Sequence, residues 1–306
     1  MLFELWNIIA PVFVCTIIGY FWARSSTPFS ADFVSRIVMN IGAPCLVIST
    51  INGVEISGQD FYAVAFAAIL IFLFTAIAGI LVIRMSGGTV RSLLPTVVFP
   101  NNGNMGLPLC LFAFGEEGLA LALAFFLVQM SALMSGGVAL MSRNNNGFLS
   151  ALKDLTILPL IHSIVIAIFL LGTGTKLPGW IDSTLGILGG LTIPLMLITL
   201  GASLTNLSTT EWRRSMIFSI LRIGGGFLFA CIVVNLMGLS GTAKHVVLLQ
   251  AIMPAAVFNY LLALKFDRDP DKVASVVVTS TLLSLIAIPI LLSFLLYDFF
   301  IKKYDI

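Results

Sequence analysis

Apolar runs of about 20 residues, the length that crosses a bilayer's hydrocarbon core, follow one another along this chain with only short polar breaks between them. Ten spans are predicted, at about 3–22, 32–51, 61–84, 91–113, 118–141, 149–172, 181–203, 213–238, 243–265 and 273–300. The breaks carry turn-forming sequence, such as Ser25-Ser26-Thr27-Pro28, Gly115-Glu116-Glu117-Gly118 and Asp267-Arg268-Asp269-Pro270-Asp271. The first run carries Glu4 and no basic start, so it reads as a span and not as a cleaved leader.

The fourth run is interrupted from within by Phe99-Pro100-Asn101-Asn102-Gly103-Asn104-Met105-Gly106-Leu107-Pro108-Leu109. Pro100 and Pro108 each remove a backbone donor and clash with the preceding turn, and Gly103 and Gly106 loosen the chain further. The segment is therefore expected to unwind between two half-helices. Unwound backbone at membrane depth survives where protein or a water-lined cavity satisfies it, the pattern of a transporter's site near the midplane. A proline kink with asparagines bonding between helices for packing alone is the simpler alternative.

Lys and Arg fall unevenly on the two sides of the ten spans. The odd-numbered connections hold Arg24, Arg36, Arg84, Arg91, Arg143, Lys153, Arg213, Arg214, Lys265, Arg268 and Lys272, whereas the other side has only Lys176, Lys244, Lys302 and Lys303. The first side is thus expected to be cytoplasmic, with Asn144 inside, Glu116 and Asp305 outside, and both termini outside an inner (plasma) membrane. Five spans per half makes any internal repeat an inverted one, over 1–145 and 146–306. The sequence carries it: Ile41-Gly42-Ala43-Pro44 aligns with Leu191-Thr192-Ile193-Pro194, and Phe99-Pro100-Asn101-Asn102 with Met253-Pro254-Ala255-Ala256, with Asn259 supplying an amide shortly after. Matching broken segments in two inverted halves point to a secondary-transport site.

Composition agrees with the pattern and excludes alternatives. Hydrophobic residues make up 59% and charged residues 10% of the 306 residues, with mean hydropathy +1.08, far from soluble composition. A net charge of +2 with no basic patch argues against nucleic acid. Cys15, Cys45, Cys110 and Cys231 lie singly in apolar runs and read as buried packing residues, and His162 and His245 lack the company a zinc site needs, so neither metal nor cofactor is expected.

Pro100-Asn101 followed by Met105-Gly106-Leu107-Pro108-Leu109 resembles the fourth-span crossing signature of the auxin efflux carrier family. Gln250-Ala251-Ile252-Met253-Pro254, Asp269-Pro270-Asp271, Ser275 and Leu285-Ile286-Ala287-Ile288-Pro289-Ile290 are similar to that family's ninth and tenth spans. The short polar stretch between spans five and six resembles compact bacterial members and not the long-looped plant ones, which argues against auxin as substrate. The resemblance implies an all-α fold of ten transmembrane helices, related to bile-acid symporters, with broken spans 4 and 9 crossing. It further implies a scaffold of spans 1, 2, 6 and 7, a mobile transport domain of spans 3–5 and 8–10, and elevator-type carriage of organic anions such as malate or malonate. By position Asn101 matches the family's substrate-contacting asparagine.

Around it the expected site comprises Pro100, Asn102, Gly103, Asn104, Pro108, Pro254, Val257 and Asn259. Half-helix N-termini offer free N–H groups and a partial positive charge, so they hold a carboxylate without a cationic side chain. Arg222, mid-span, is a candidate for anion binding or for stabilising the transport domain, with snorkelling or pairing to a helix C-terminus as alternatives; His162 reads as interhelical packing. Spans 4 and 9 hold no Asp or Glu, and Gln129 and Gln250 are the nearest stand-ins, so sodium symport is the lesser reading beside proton-motive, exchange or potential-driven transport. The bilayer and a small organic anion are the expected partners, and a homodimer is a candidate assembly. No nucleophile–base set, metal cluster or carboxylate pair suggests an enzyme; a transporter fold that senses without transporting is the other alternative.

Overall fold

The computed structural model describes residues 2–25, 28–54, 57–142, 159–205 and 211–304. The expected side assignments of Asn144 and Asp305, and the boundary between the two repeats at 145/146, lie outside the described residues.

The chain is all-helical. Its helices are α1 (Leu2–Arg24), α2 (Ala31–Gly53), α3 (Gly58–Met85), α4 (Val90–Val98), α5 (Asn102–Met141), α6 (Pro159–Thr173), α7 (Gly179–Leu204), α8 (Trp212–Met237), α9 (Gly241–Ala251), α10 (Val257–Phe266) and α11 (Pro270–Tyr304). Among the described residues seven helices are long and apolar enough to cross a membrane by length and composition. One of them, α5, doubles back at Gly115, whose φ of 70° and ψ of −162° lie where only glycine sits without strain. Its first leg completes span 4 after α4, and its second leg is span 5. The pair α9 and α10 makes up span 9 in the same way, so the helices follow the ten-span pattern read from the sequence. Side chains such as Phe3, Trp6, Leu73, Ile187 and Phe294 lie exposed on the outer surface, as lipid-facing positions require. Cys110 is buried, but Cys15, Cys45 and Cys231 are only half-buried, because these apolar helices also turn a face outward.

Hydrogen bonds between connections define the two faces. On the basic face the Arg214 guanidinium donates to the Ser86 carbonyl at 2.9 Å, the Ser92 hydroxyl to Asp269 at 2.6 Å, and Arg268 Nε to the Met141 carbonyl at 2.9 Å. On the opposite face the Asn52 amide donates to Asp182 at 2.7 Å and Lys176 to the Asn52 carbonyl at 2.7 Å, while Lys244 pairs with Asp298 at 3.1 Å.

Helices α1, α2, α6 and α7 pack chiefly on one another, and α3, α5, α8, α9 and α11 do the same. The tightest seam runs between α1 and α7. A Cβ on Gly19 would overlap the Ile198 carbonyl oxygen, and one on Gly201 the Thr16 carbonyl oxygen. Small residues let two backbones touch there, which is how helices associate where lipid removes the hydrophobic drive.

Candidate functional site

The two broken helices meet backbone to backbone. Asn101 donates its amide to the Pro254 carbonyl at 2.7 Å and Ala256 donates to the Phe99 carbonyl at 3.1 Å, closing an antiparallel bridge between Pro100 and Ala255. The crossing is thus a two-residue ladder inside a helical protein, and it satisfies polar groups that lipid could not. Neighbouring side chains complete the accounting. The Gln129 amide donates to the Pro100 carbonyl at 2.5 Å, the Asn259 amide to the Phe99 carbonyl at 3.0 Å, and the Ser280 hydroxyl accepts from the Ala255 amide at 3.0 Å.

The unwinding is shorter than the proline and glycine content predicts. Only Phe99–Asn101 leaves the helical path; Asn102–Gly106 form a π turn that runs directly into helix, with Pro108 in its first turn. Pro108 follows directly on the π turn, where the i→i−4 ladder is already interrupted, so its missing N–H breaks little further. The glycines serve close packing instead. A Cβ on Gly103 would come within 2.9 Å of the Phe126 ring and 3.1 Å of the Met196 methyl, and one on Gly106 would overlap the Gln250 side-chain oxygen.

Helix polarity organises the charge. The C-terminal ends of α4 and α9 converge on Arg222, which is fully buried at a π turn (Leu221–Gly225) of α8. Its Nη1 donates to the carbonyls of Val97 (2.6 Å) and Val98 (3.0 Å), and its Nη2 to that of Ala251 (2.7 Å). One guanidinium therefore meets the partial negative ends of both half-helices, the arrangement that makes a buried cation tolerable in a membrane. Gly226 lets α8 come this close, since a Cβ there would overlap both the Ala251 oxygen and Arg222 Nη2.

The N-terminal ends face a cavity of about 80 Å³, room for several waters. Pro100, Asn101, Gly103 and Asn104 line it from the start of α5, and Ala256, Val257 and Phe258 from the start of α10. Phe126 and Gln129 form a wall from the second leg of α5; Ser35 and Met39 of α2 and Met196, Thr199 and Ser203 of α7 close the far side. The first N–H groups of both helices have no intrahelical acceptor. Asn101 Nδ2, Gln129 Oε1 and Thr199 Oγ are buried without a partner within the protein. Among the described residues no charged side chain lines the cavity.

Of the residues expected at the site, Pro100, Asn101, Gly103, Asn104 and Val257 line this cavity. Asn102 and Asn259 are fully buried beside it, and Pro254 and Pro108 shape the backbone. Arg222 does not line it; its hydrogen bonds are those to the two helix C-termini. His162 lies exposed on α6. Sequence reasoning treated Gln129 only as a sodium stand-in and overlooked Thr199, Ser35 and Ser203. The signal for Thr199 was its place five residues after Pro194 in the repeat, matching Ser49 after Pro44.

An all-helical membrane protein in which two broken helices cross beside a largely apolar cavity carrying a few neutral polar groups is built as a transporter. The chain belongs to the family described as Membrane transport protein, whose model matches residues 6–152 and 145–292, the auxin efflux carrier family whose signatures the crossing carries. It is 28% identical over 302 residues to an uncharacterized transporter of Methanocaldococcus jannaschii, covering 92% of this chain and 96% of that protein. An uncharacterized transporter of Methanothermobacter thermautotrophicus is 26% identical over 267 residues, covering 85% and 87%.

Proposed function

We propose that the protein is a secondary active transporter of small organic anions, with mono- and dicarboxylates such as malate or malonate as the substrate class. The observation that carries this reading is the polarity of the crossing. Two helix N-termini face one uncharged cavity while both C-termini are neutralised behind it by Arg222, so the field in the cavity favours an anion. In this reading Asn101 and Asn104 donate to the carboxylate together with the amides around Gly103 and Val257; Asn259, Pro100, Pro108 and Pro254 hold those groups in place, and Asn102, whose buried side-chain amide has no partner within the protein, lies beside them. Arg222 supports the anion from behind the crossing.

The division of packing supports a scaffold of α1, α2, α6 and α7 against a transport domain built from the remaining helices, moving by elevator-type alternating access. The Lys and Arg bias makes the basic face cytoplasmic and leaves both termini outside. With no carboxylate among the described residues of the cavity wall, coupling to protons, exchange or membrane potential is favoured over sodium symport.

Reconstitution tests it. Proteoliposomes loaded with unlabelled malonate, malate or acetate should accumulate the labelled form by counterflow, with no requirement for sodium. Binding without counterflow would make the protein a sensor on a transporter fold, and strict sodium dependence would make it a symporter.

A further inference from the structure

A second recess, of about 480 Å³, opens between α2 and α7 on one side and the bend of α5 on the other. It lies toward the face opposite the basic one, since Gly53, Val54 and Glu116 belong to that end of their helices. Its lining stands in register with that of the first cavity. The repeat aligns Pro44 with Pro194, and the same spacing pairs Leu46 with Met196, Ser49 with Thr199, Gly53 with Ser203, and Met39 with Gly189. In every pair one member lines the cavity at the crossing and the other lines the recess.

The two helices touch where the repeat meets itself. A Cβ on Gly42 would come within 2.6 Å of the Thr192 hydroxyl, and Gly42 and Thr192 are partners at that same spacing. Paired positions in contact mark the pseudo-twofold axis of an inverted repeat, so the cavity and the recess lie on its two sides as images of one another. The images are unequal, because the crossing sits beside only one of them.

We infer that the recess is the second half of the substrate route: when the crossing passes the Gly42–Thr192 contact, Ser49 takes over from Thr199 as the hydroxyl facing the bound anion. This rests on the transporter reading above and assigns residues to the state not seen here. Both hydroxyls come from α2 and α7, so each half of the repeat supplies one partner; the Ser49 hydroxyl, which here donates to the Leu46 carbonyl at 3.2 Å, turns to the anion once the crossing reaches it. The methionine–leucine pair, Met196 and Leu46, likewise provides an apolar wall in each state.

The test is reciprocal labelling. In a background with Cys15, Cys45, Cys110 and Cys231 replaced by alanine, Thr199→Cys and Ser49→Cys are introduced singly and together, and a membrane-impermeant sulfonate thiol reagent is applied from each face of oriented vesicles. Residue 199 should react from the basic face and residue 49 from the other. Modification at 49 should slow labelling at 199 by about fivefold, the drop when an even two-state equilibrium shifts to nine to one. The pair Leu46→Cys and Met196→Cys serves if the first pair misfolds by size exclusion.

Equal, independent labelling of both positions, or labelling of both from one face, overturns the inference. Counterflow of malonate, malate and acetate is measured on the cysteine-free parent. Transport without reciprocity sinks the two-sided route alone, whereas reciprocity without counterflow of any of the three anions upholds the exchange between the two sides and removes these anions as its cargo.

Discussion

The α1–α7 seam and the crossing of the broken helices are both places where two backbones come into contact inside a membrane, and they are held by opposite means. At the seam Gly19 and Gly201 leave no room for a side chain, and each presents its Cα directly to a carbonyl oxygen of the other helix, Ile198 and Thr16. At the crossing the backbones are joined by two amide–carbonyl bonds, braced by Gln129, Asn259 and Ser280, and closed from behind by Arg222. The first solution yields a rigid wall. The second leaves polar atoms facing a cavity, where the proposed anion would bind.

The comparison breaks most severely at Arg222. Arg222→Leu leaves the carbonyls of Val97, Val98 and Ala251 buried without a donor, each at about 1–3 kcal/mol; the variant should fail to accumulate as a folded species in size exclusion. Arg222→Lys should recover only part, because a single ammonium cannot fork between two helix ends as a guanidinium does. Recovery of wild-type melting with leucine would show that the helix ends do not need the charge.

Gly201→Ala comes next. The added methyl meets backbone and cannot be accommodated by a rotamer change, so about 1–3 kcal/mol of stability should be lost. Anion affinity of the protein that remains folded should be unchanged, and a shifted affinity would mean that the seam and the site are not separable.

Asn101→Ala should do the reverse. Loss of a hydrogen bond to a charged group costs about 1.5–3 kcal/mol, which weakens binding some ten- to a hundredfold, with a nearly unchanged melt in detergent. Asn101→Asp should bind still more weakly, because a donor is replaced by a like charge. Unchanged binding with a lowered melting point would make the asparagine a packing residue.

The smallest effect lies in the connections that tie the basic face. The Ser92 hydroxyl, and after it Lys272, hold the Asp269 carboxyl below its ordinary value of 3.8. A lowered folded-state value means that the contact stabilises above that pH and that its contribution disappears as pH falls through the folded value. Thermal melts of the wild type should therefore lose a small increment below about pH 3.8, and Asp269→Asn should show no such step. A step that persists in the asparagine variant would assign it elsewhere.

What could be read in advance follows the same division. The crossing was legible because proline and asparagine in an apolar run are local signals, and the inverted repeat said which segments pair. The repeat pairs Pro100 with Pro254, and these are the segments that bridge. The seam was not legible, since Gly19 and Gly201 look like any other glycines in helices that are apolar all round, where no polar face reveals the direction of packing. Arg222 was recognisable as costly but not assignable. Its acceptors are main-chain carbonyls far away in sequence, and a carbonyl has no signature in a sequence. The extent of unwinding was overestimated because Pro108 reads as a breaker, and a π turn that accommodates it has no signature in a sequence.

Arg222 also constrains how the protein is made. The residue that caps α4 is synthesised about 120 positions after it, so the first half leaves the ribosome with the Val97 and Val98 carbonyls in want of a donor that the second half alone supplies. Until α8 arrives, that broken helix must be sheltered by the insertion machinery or remain at the membrane's aqueous edge. A chain truncated after residue 142 should be cleared by membrane proteases, and co-expression of the second half as a separate polypeptide should rescue it.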